Sequence, residues 1–255
     1  MSGEPTTPSG WHERMYRSFE EVLATTGSGE RVMLDGVCAS LSPATPERSV
    51  FNSVIYERPE ALADRLDELG RIYDEAGVGA WTVWVPESDP DSARLLEAAG
   101  HRHDANPTAM VLDLDRLADP GVDGLDWDAE ATHEEVCSVN DRAYGYPDGT
   151  FARGIYADAE GPRFYRARLH GETACVIGVN EVGGDAGIWW VATLPEARGH
   201  RLSGRLMHVA LTQSRERGCD ISTLEATRLG RPIYEGLGYR AIGSIGMWER
   251  RRQDH

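Results

Sequence analysis

The amino-acid sequence predicts an α/β (α+β) chain of mixed strands and helices, and two patterns carry that reading. Apolar runs of strand length alternate with stretches whose apolar residues recur at helical spacing. In the second half hairpins come first and a crossover helix comes later, as in a mixed sheet flanked by helices. The 255 residues, 40% hydrophobic, 27% charged and 8% aromatic, describe one large or two modest folded domains and exclude a disordered or low-complexity chain.

A first helix is expected over residues 11–24, where Met15, Phe19, Val22 and Leu23 share a face. Strand-like runs come next over 31–41 and 49–57. Pro59 then opens a helix with Leu62, Leu66, Leu69, Ile72 and Tyr73 on one side, and Gly77 ends it. Residues 80–85 form an apolar strand closed by Pro86, 92–99 a short helix ending at Gly100, and 108–114 another strand. From Asp113 to Asp128 the composition turns to Asp, Gly and Pro. That marks a boundary, with an N-terminal lobe over 1–115, a linker over 116–128 and a second lobe over 129–255. The second lobe holds a helix over 134–144, strands over 163–169 and 173–179 joined through His170-Gly171-Glu172, and a strand over 187–193. A helix over 202–217, a strand over 221–226, a short helix over 231–237 and a last strand over 240–248 complete it. Pro59-Glu60-Ala61 recurs as Pro195-Glu196-Ala197, at an offset of 136, and the Leu96 to His101 segment recurs as Tyr234 to Tyr239, at an offset of 138. The near-constant offset indicates an internal duplication.

The 42 acidic against 26 basic residues leave a net charge of −16, a field that repels phosphate backbones and anionic membrane surfaces and attracts cations such as amines. Nucleic acid and membrane are therefore not expected as partners. Cys38, Cys137, Cys175 and Cys219 lie far apart, so neither a zinc site nor a disulfide framework is expected, and His101 with His103 makes a poor metal pair. No basic leader and no long apolar stretch is present, which predicts a cytoplasmic protein.

The chemistry concentrates between Trp189 and Gly204, where an apolar strand passes through a small turn into an amphipathic helix. Such a turn exposes successive backbone N–H groups at a helix N-terminus, which with the helix dipole suits a pyrophosphate; an ordinary arginine-rich capped helix is the alternative. Gly199 and Gly204 let the backbone come close, and Arg198 supplies charge.

Together with the segment from Ile233 to Tyr239, this window resembles the GNAT acetyltransferase superfamily, whose phosphate loop reads Gln or Arg, two residues, Gly, one residue, then Gly or Ala. Here the loop is Arg198-Gly199-His200-Arg201-Leu202-Ser203. Arg201 stands where the family has Gly, and it either crowds the pyrophosphate or turns outward and adds charge. The segment Ile233-Tyr234-Glu235-Gly236-Leu237-Gly238-Tyr239 matches the family's helix and Leu-Gly-aromatic sequence before the final strand.

The resemblance implies two GNAT-like lobes, each a mixed, mostly antiparallel twisted sheet flanked by helices. It also implies an acetyl-CoA-dependent N-acetyltransferase that works by direct attack in a ternary complex, without a metal. In that reading Arg198, Gly199, His200, Arg201, Leu202, Ser203 and Gly204 hold the pyrophosphate. Val191, Ala192 and Thr193 offer backbone groups to the pantetheine arm, one N–H stabilising the oxyanion. Tyr234 protonates the departing thiolate. For the general base, Glu225, Asp141 and Asp185 are candidates, with Glu225 placed by alternation opposite Leu224 and Ala226; a water relay serves equally. Asp141, Tyr144, Tyr146 and Trp189 are expected to receive a cationic small-molecule amine. The first half matches only as a degenerate copy, with Leu62-Ala63-Asp64 in place of Arg198-Gly199-His200 and Leu96 in place of Tyr234, so it is expected to be a non-catalytic lobe that shapes the acceptor cleft. The protein is expected to be a monomer or homodimer. A non-catalytic acyl-CoA-binding or regulatory protein is the alternative function.

Overall fold

The computed structural model describes residues 8–26, 31–155 and 161–252. In chain order its helices and strands are α1 (Pro8–Leu23), β1 (Arg31–Leu34), β2 (Val37–Ser40), β3 (Ser53–Tyr56), α2 (Pro59–Glu75), β4 (Ala80–Pro86), α3 (Pro90–Ala98), β5 (Arg102–Ala105) and β6 (Thr108–Asp113). They continue as β7 (Trp127–Asp128), α4 (His133–Tyr144), α5 (Thr150–Gly154), β8 (Arg163–Leu169), β9 (Glu172–Val182), β10 (Asp185–Thr193), α6 (Leu202–Glu216), β11 (Ile221–Ala226), α7 (Arg231–Leu237) and β12 (Arg240–Arg251). Over the described residues the chain divides at 108/109, 152/153 and 242/243 into two compact units.

In the first unit the strands run β1-β2-β3-β4-β12, with β5 also on β12; β3 and β4 are parallel and the other pairs antiparallel. The run 31–41, read from sequence as one strand, is a hairpin. Leu34 pairs with Val37 across Asp35-Gly36, and Gly36 takes the left-handed φ of +72° that a two-residue turn requires. The run 49–57 begins as a 3-10 turn over Ser49–Phe51 because the buried Asn52 competes with the ladder. Its Oδ1 accepts from Ser42 N at 2.7 Å and its Nδ2 donates to Thr45 O at 3.2 Å. Leu62, Leu66, Leu69 and Tyr73 on α2 are buried as their spacing predicts and meet Val54, Trp81, Val83 and Leu96 in the unit's core. Asp89 caps α3 by accepting Ser92 N–H at 3.0 Å.

The second unit orders its strands β6-β11-β10-β9-β8-β7. Pairing is antiparallel from β7 to β10 and parallel between β10 and β11. A capping box between Thr132 and Glu135 starts α4, and Gly145 at φ +70° ends it. Helix α6 lies against β8, β9 and β10, and α4 against β9 and β10. Met110, Tyr165, Ile177, Ile188, Leu206 and Met207 are among the fully or almost fully buried residues of this core. The stretch 116–128, read as linker, includes the short strand β7, and the sequence pattern gives no sign of β5 or α5 either. All three are five residues or shorter, below the length at which periodicity shows. Each unit is a mixed, mostly antiparallel sheet flanked by helices, the sheet type the sequence predicts, with β6 falling in the second unit and most of β12 in the first.

Leu206 is completely buried, so Leu206→Ala leaves a cavity and should lower unfolding free energy by about 2–5 kcal/mol, read as a shift in the urea midpoint at unchanged slope.

Candidate active site

Strand β10 changes register midway. Trp189 pairs with Gly178 and Ala192 with Val176, so three steps along β10 oppose two along β9. The extra residue is a bulge, and Trp190 takes a left-handed φ of +53° to form it. Gly178 makes room: a Cβ there would lie 3.3 Å from both Trp189 O and Trp190 Cδ1. On its other side β10 pairs with β11 at Asp185 opposite Ile221, near the start of both strands. Beyond that point no further register pair joins them among the described residues, so Val191, Ala192 and Thr193 have no ladder partner on β11.

Helix α4 closes over the bulge. Asn140 Nδ2 donates to Trp190 O at 3.3 Å and to Val136 O at 2.8 Å, while Tyr144 OH donates to Val191 O at 3.1 Å. Asn140 Oδ1 is buried and meets no donor among the described residues. Tyr144, Tyr146 and Phe151 stack with ring centroids 5.8–6.2 Å apart, and Trp190 meets Phe151 edge-on at 5.7 Å. Asp141 is buried at 1% exposure, and its Oδ1 accepts Phe151 N–H at 2.9 Å. That carboxylate thus fastens α5 to α4, whereas Tyr144 is half exposed at the end of the helix.

After Thr193 the chain makes a 3-10 turn over Pro195–Ala197, passes Arg198, Gly199 (φ +88°) and His200, and enters α6 from Arg201 at φ +59° and ψ +24°. Arg201 therefore adopts the left-handed conformation that a glycine takes without strain, at a cost of about 1–2 kcal/mol. No side chain caps α6. The N–H groups of Leu202, Ser203 and Gly204 belong to the first turn, which has no intrahelical acceptors. The Arg201 side chain turns outward, with Nη2 donating to Pro120 O at 3.2 Å. Arg205 joins it by donating to Gly121 O at 2.9 Å and Asp123 O at 2.6 Å. Arg198 Nη2 donates to Ala143 O at the end of α4, at 3.1 Å, and His200 is exposed. Gly204 faces α7: a Cβ there would stand 3.3 Å from Ile233 Cγ2, so this glycine serves helix packing.

Tyr234 projects from α7 into the core and is 8% exposed. Its ring lies over Gly230, where a Cβ would come within 2.8 Å of it. Burial, with Tyr144 and Cys175 as further influences, pushes its phenol well above the usual range, so the hydroxyl stays protonated at any physiological pH. Cys175 pairs with Thr193, whose hydroxyl donates to its sulfur at 3.3 Å, and Tyr234 belongs to the same buried cluster as Cys175 and Ala192. On β11, Thr223 Oγ1 donates to Asp185 Oδ2 at 2.7 Å, and Glu225 lies two residues further along the same face. Burial first and the Asp185 charge second push the Glu225 carboxyl up to about 8. Trp189 is partly buried beside Trp190, with centroids 6.5 Å apart. Among the described residues no group of three or more His, Cys, Asp or Glu side chains could hold a metal ion, and no helix is long and apolar enough to cross a membrane.

Sequence reasoning missed Asn140 as the residue that fixes the bulge. A lone asparagine in a helix carries no signal until the strand beneath it is known.

Residues 168–242 match the family model described as the acetyltransferase (GNAT) domain. The likeness in fold extends over most of the chain. A GCN5-related N-acetyltransferase from Kribbella flavida superposes with a TM-score of 0.69 at 17% identity, covering 94% of this chain and 95% of that one. One from Sphaerobacter thermophilus gives 0.56 at 18% identity over 85% and 76%. A tandem GNAT protein from the clavulanic acid biosynthesis pathway gives 0.58 at 17% identity over 86% and 79%. No curated protein matches the chain in sequence. Residues 168–242 are thus similar to the GNAT acetyltransferase domain, and the fold of the chain is the GNAT fold.

The raised Glu225 carboxyl sets a stability trend. Protonation is favoured in the folded state up to about pH 8 but only to the ordinary 4.5 in the unfolded chain, so its contribution is full below pH 4.5 and is lost as pH rises through about 8. Glu225→Gln should therefore gain on the native protein in urea midpoint steadily from pH 5 to 8. A difference between the two that does not vary with pH would contradict this assignment.

Proposed function

We propose that the second unit is an acetyl-CoA-dependent N-acetyltransferase that acetylates a primary amine of a small molecule by direct attack in a ternary complex. The observation that carries this reading is the bulged end of β10, unpaired with β11, leading through the loop 194–201 into an uncapped helix start, with the protonated phenol of Tyr234 in the same buried cluster.

The residues present suit the coenzyme. The first-turn N–H groups of α6 and the positive end of its dipole suit a pyrophosphate, and the left-handed backbone at Arg201 keeps the loop shape while its side chain points to Pro120. The free edge at Val191–Thr193 suits an extended amide arm. When bound, the coenzyme supplies an acetyl thioester. A backbone N–H of the opened edge donates to the acetyl carbonyl oxygen as negative charge builds there. Glu225, once ionised as the pH approaches 8, takes a proton from the ammonium group directly or through water, the neutral amine then attacks, and Tyr234 gives its hydroxyl proton to the departing sulfur. The −16 charge of the chain draws a cationic amine toward the site. Trp189 and the ring group of Tyr144 and Tyr146 supply an aromatic surface beside it.

The first unit is read as a degenerate copy of the same fold. Its α2 starts at Pro59 without the long loop that separates Pro195 from α6, and Leu62 and Leu96 are wholly buried.

Calorimetric titration with acetyl-CoA tests the site. Arg201→Gly should bind at least as tightly as the native protein, and Arg201→Val, whose branched side chain resists φ > 0, should bind several-fold more weakly. Tyr234→Phe should keep the native Kd while acetyl transfer to an amine falls about 10²- to 10⁴-fold. Native protein that binds no acetyl-CoA would overturn the reading.

A further inference from the structure

We propose that Tyr144 occupies the Val191 carbonyl as a stand-in, which an amide N–H of the coenzyme's extended arm displaces on binding. The inference rests on the coenzyme reading above and adds to it a residue that competes with the arm.

Two successive carbonyls of the bulge, Trp190 O and Val191 O, turn toward α4, and each receives a side chain from it. The two donors differ in how firmly they are held. Asn140 is fully buried and is anchored a second time by Val136 O at 2.8 Å. Tyr144 is 50% exposed, and its O–H···O distance of 3.1 Å is long beside the usual 2.7–2.8 Å of a hydroxyl bond. It is also the last residue of α4, before Gly145 in the left-handed conformation, so rotation about its χ1 disturbs no helical bond. Its ring rests on Tyr146 and Phe151 at 6.2 Å, a surface from which it can lift.

The carbonyl beneath it belongs to a strand edge that β11 has left. Such an edge accepts N–H donors from an extended chain, as in strand addition. An amide N–H arriving in register along β10 meets Val191 O, and the phenol must yield. Asn140 stays, which keeps the bulge in shape while the arm enters.

The test is calorimetric titration of the native protein and Tyr144→Phe with two ligands, acetyl-CoA and 3′,5′-ADP, the latter lacking the amide arm. Removing the competing hydroxyl should tighten acetyl-CoA roughly three- to tenfold, as water at an exposed site replaces a single neutral hydrogen bond, and should leave 3′,5′-ADP unchanged. Unchanged or weaker acetyl-CoA binding, or an equal gain for both ligands, overturns the proposal while leaving the coenzyme site standing. Failure of the native protein to bind either ligand overturns the coenzyme reading and the proposal together. In the native protein the ring resonance of Tyr144, assigned by its loss in Tyr144→Phe, should shift with acetyl-CoA and not with 3′,5′-ADP; a resonance indifferent to acetyl-CoA also overturns it.

Discussion

One surplus residue in β10 sets the geometry of the second unit. Between Trp189 and Ala192 the strand gains a step on β9, and a tryptophan is held at a positive φ to absorb it. A conformation that costs about 1–3 kcal/mol persists only where its surroundings overdetermine it. Here Gly178 yields the space beneath, Phe151 meets the Trp190 ring, and Asn140 takes its carbonyl. At and after the slip two successive carbonyls accept side chains from α4, no register pair joins β10 to β11, and the chain runs on into the loop before α6.

That loop solves a second conformational problem with an unexpected residue. Arginine at position 201 stands where glycine is the unstrained choice, yet the backbone reaches φ +59°. The side chain does not crowd the helix start. It extends to Pro120, and Arg205 holds Gly121 and Asp123, so the segment over 120–123 lies along the first turns of α6. The hydrogen bond to Pro120 offsets part of the strain. It also commits the Arg201 Nη2 to the Pro120 carbonyl, away from the backbone N–H groups of the helix start.

Burial assigns opposite protonation tasks to two groups near the opened strand. The Tyr234 phenol is kept neutral and so remains a proton donor at all relevant pH values. Glu225, pushed to about 8 by burial and by Asp185, holds a proton in the resting protein and releases it within a pH unit or so of neutrality. A carboxyl raised to about 8, once it has lost that proton, has the affinity that a general base for an ammonium group needs.

The order of elements, the buried face of α2, the hairpin and crossover of the second half, and the Leu-Gly-Tyr turn before β12 were legible in the sequence, because each is written in local periodicity or turn chemistry. The loop at 198–204 and Tyr234 were legible as motifs for the same reason. The Asp35-Gly36 turn was written there too but lay hidden inside a continuous apolar run. What no window of residues contains is a relation between strands. The bulge exists only as a difference in count between β10 and β9, and Asn140 and Tyr144 acquire their partners 50 and 47 residues away only through it. The direction of the Arg201 side chain depends on Pro120, 81 residues distant. Sequence by itself therefore determined which residues form the strands, helices and loop, because those are set by neighbours along the chain. Tertiary structure alone decided which carbonyls are free, which side chains cover them and which acids keep their protons, because register, burial and charge proximity are set by neighbours in space.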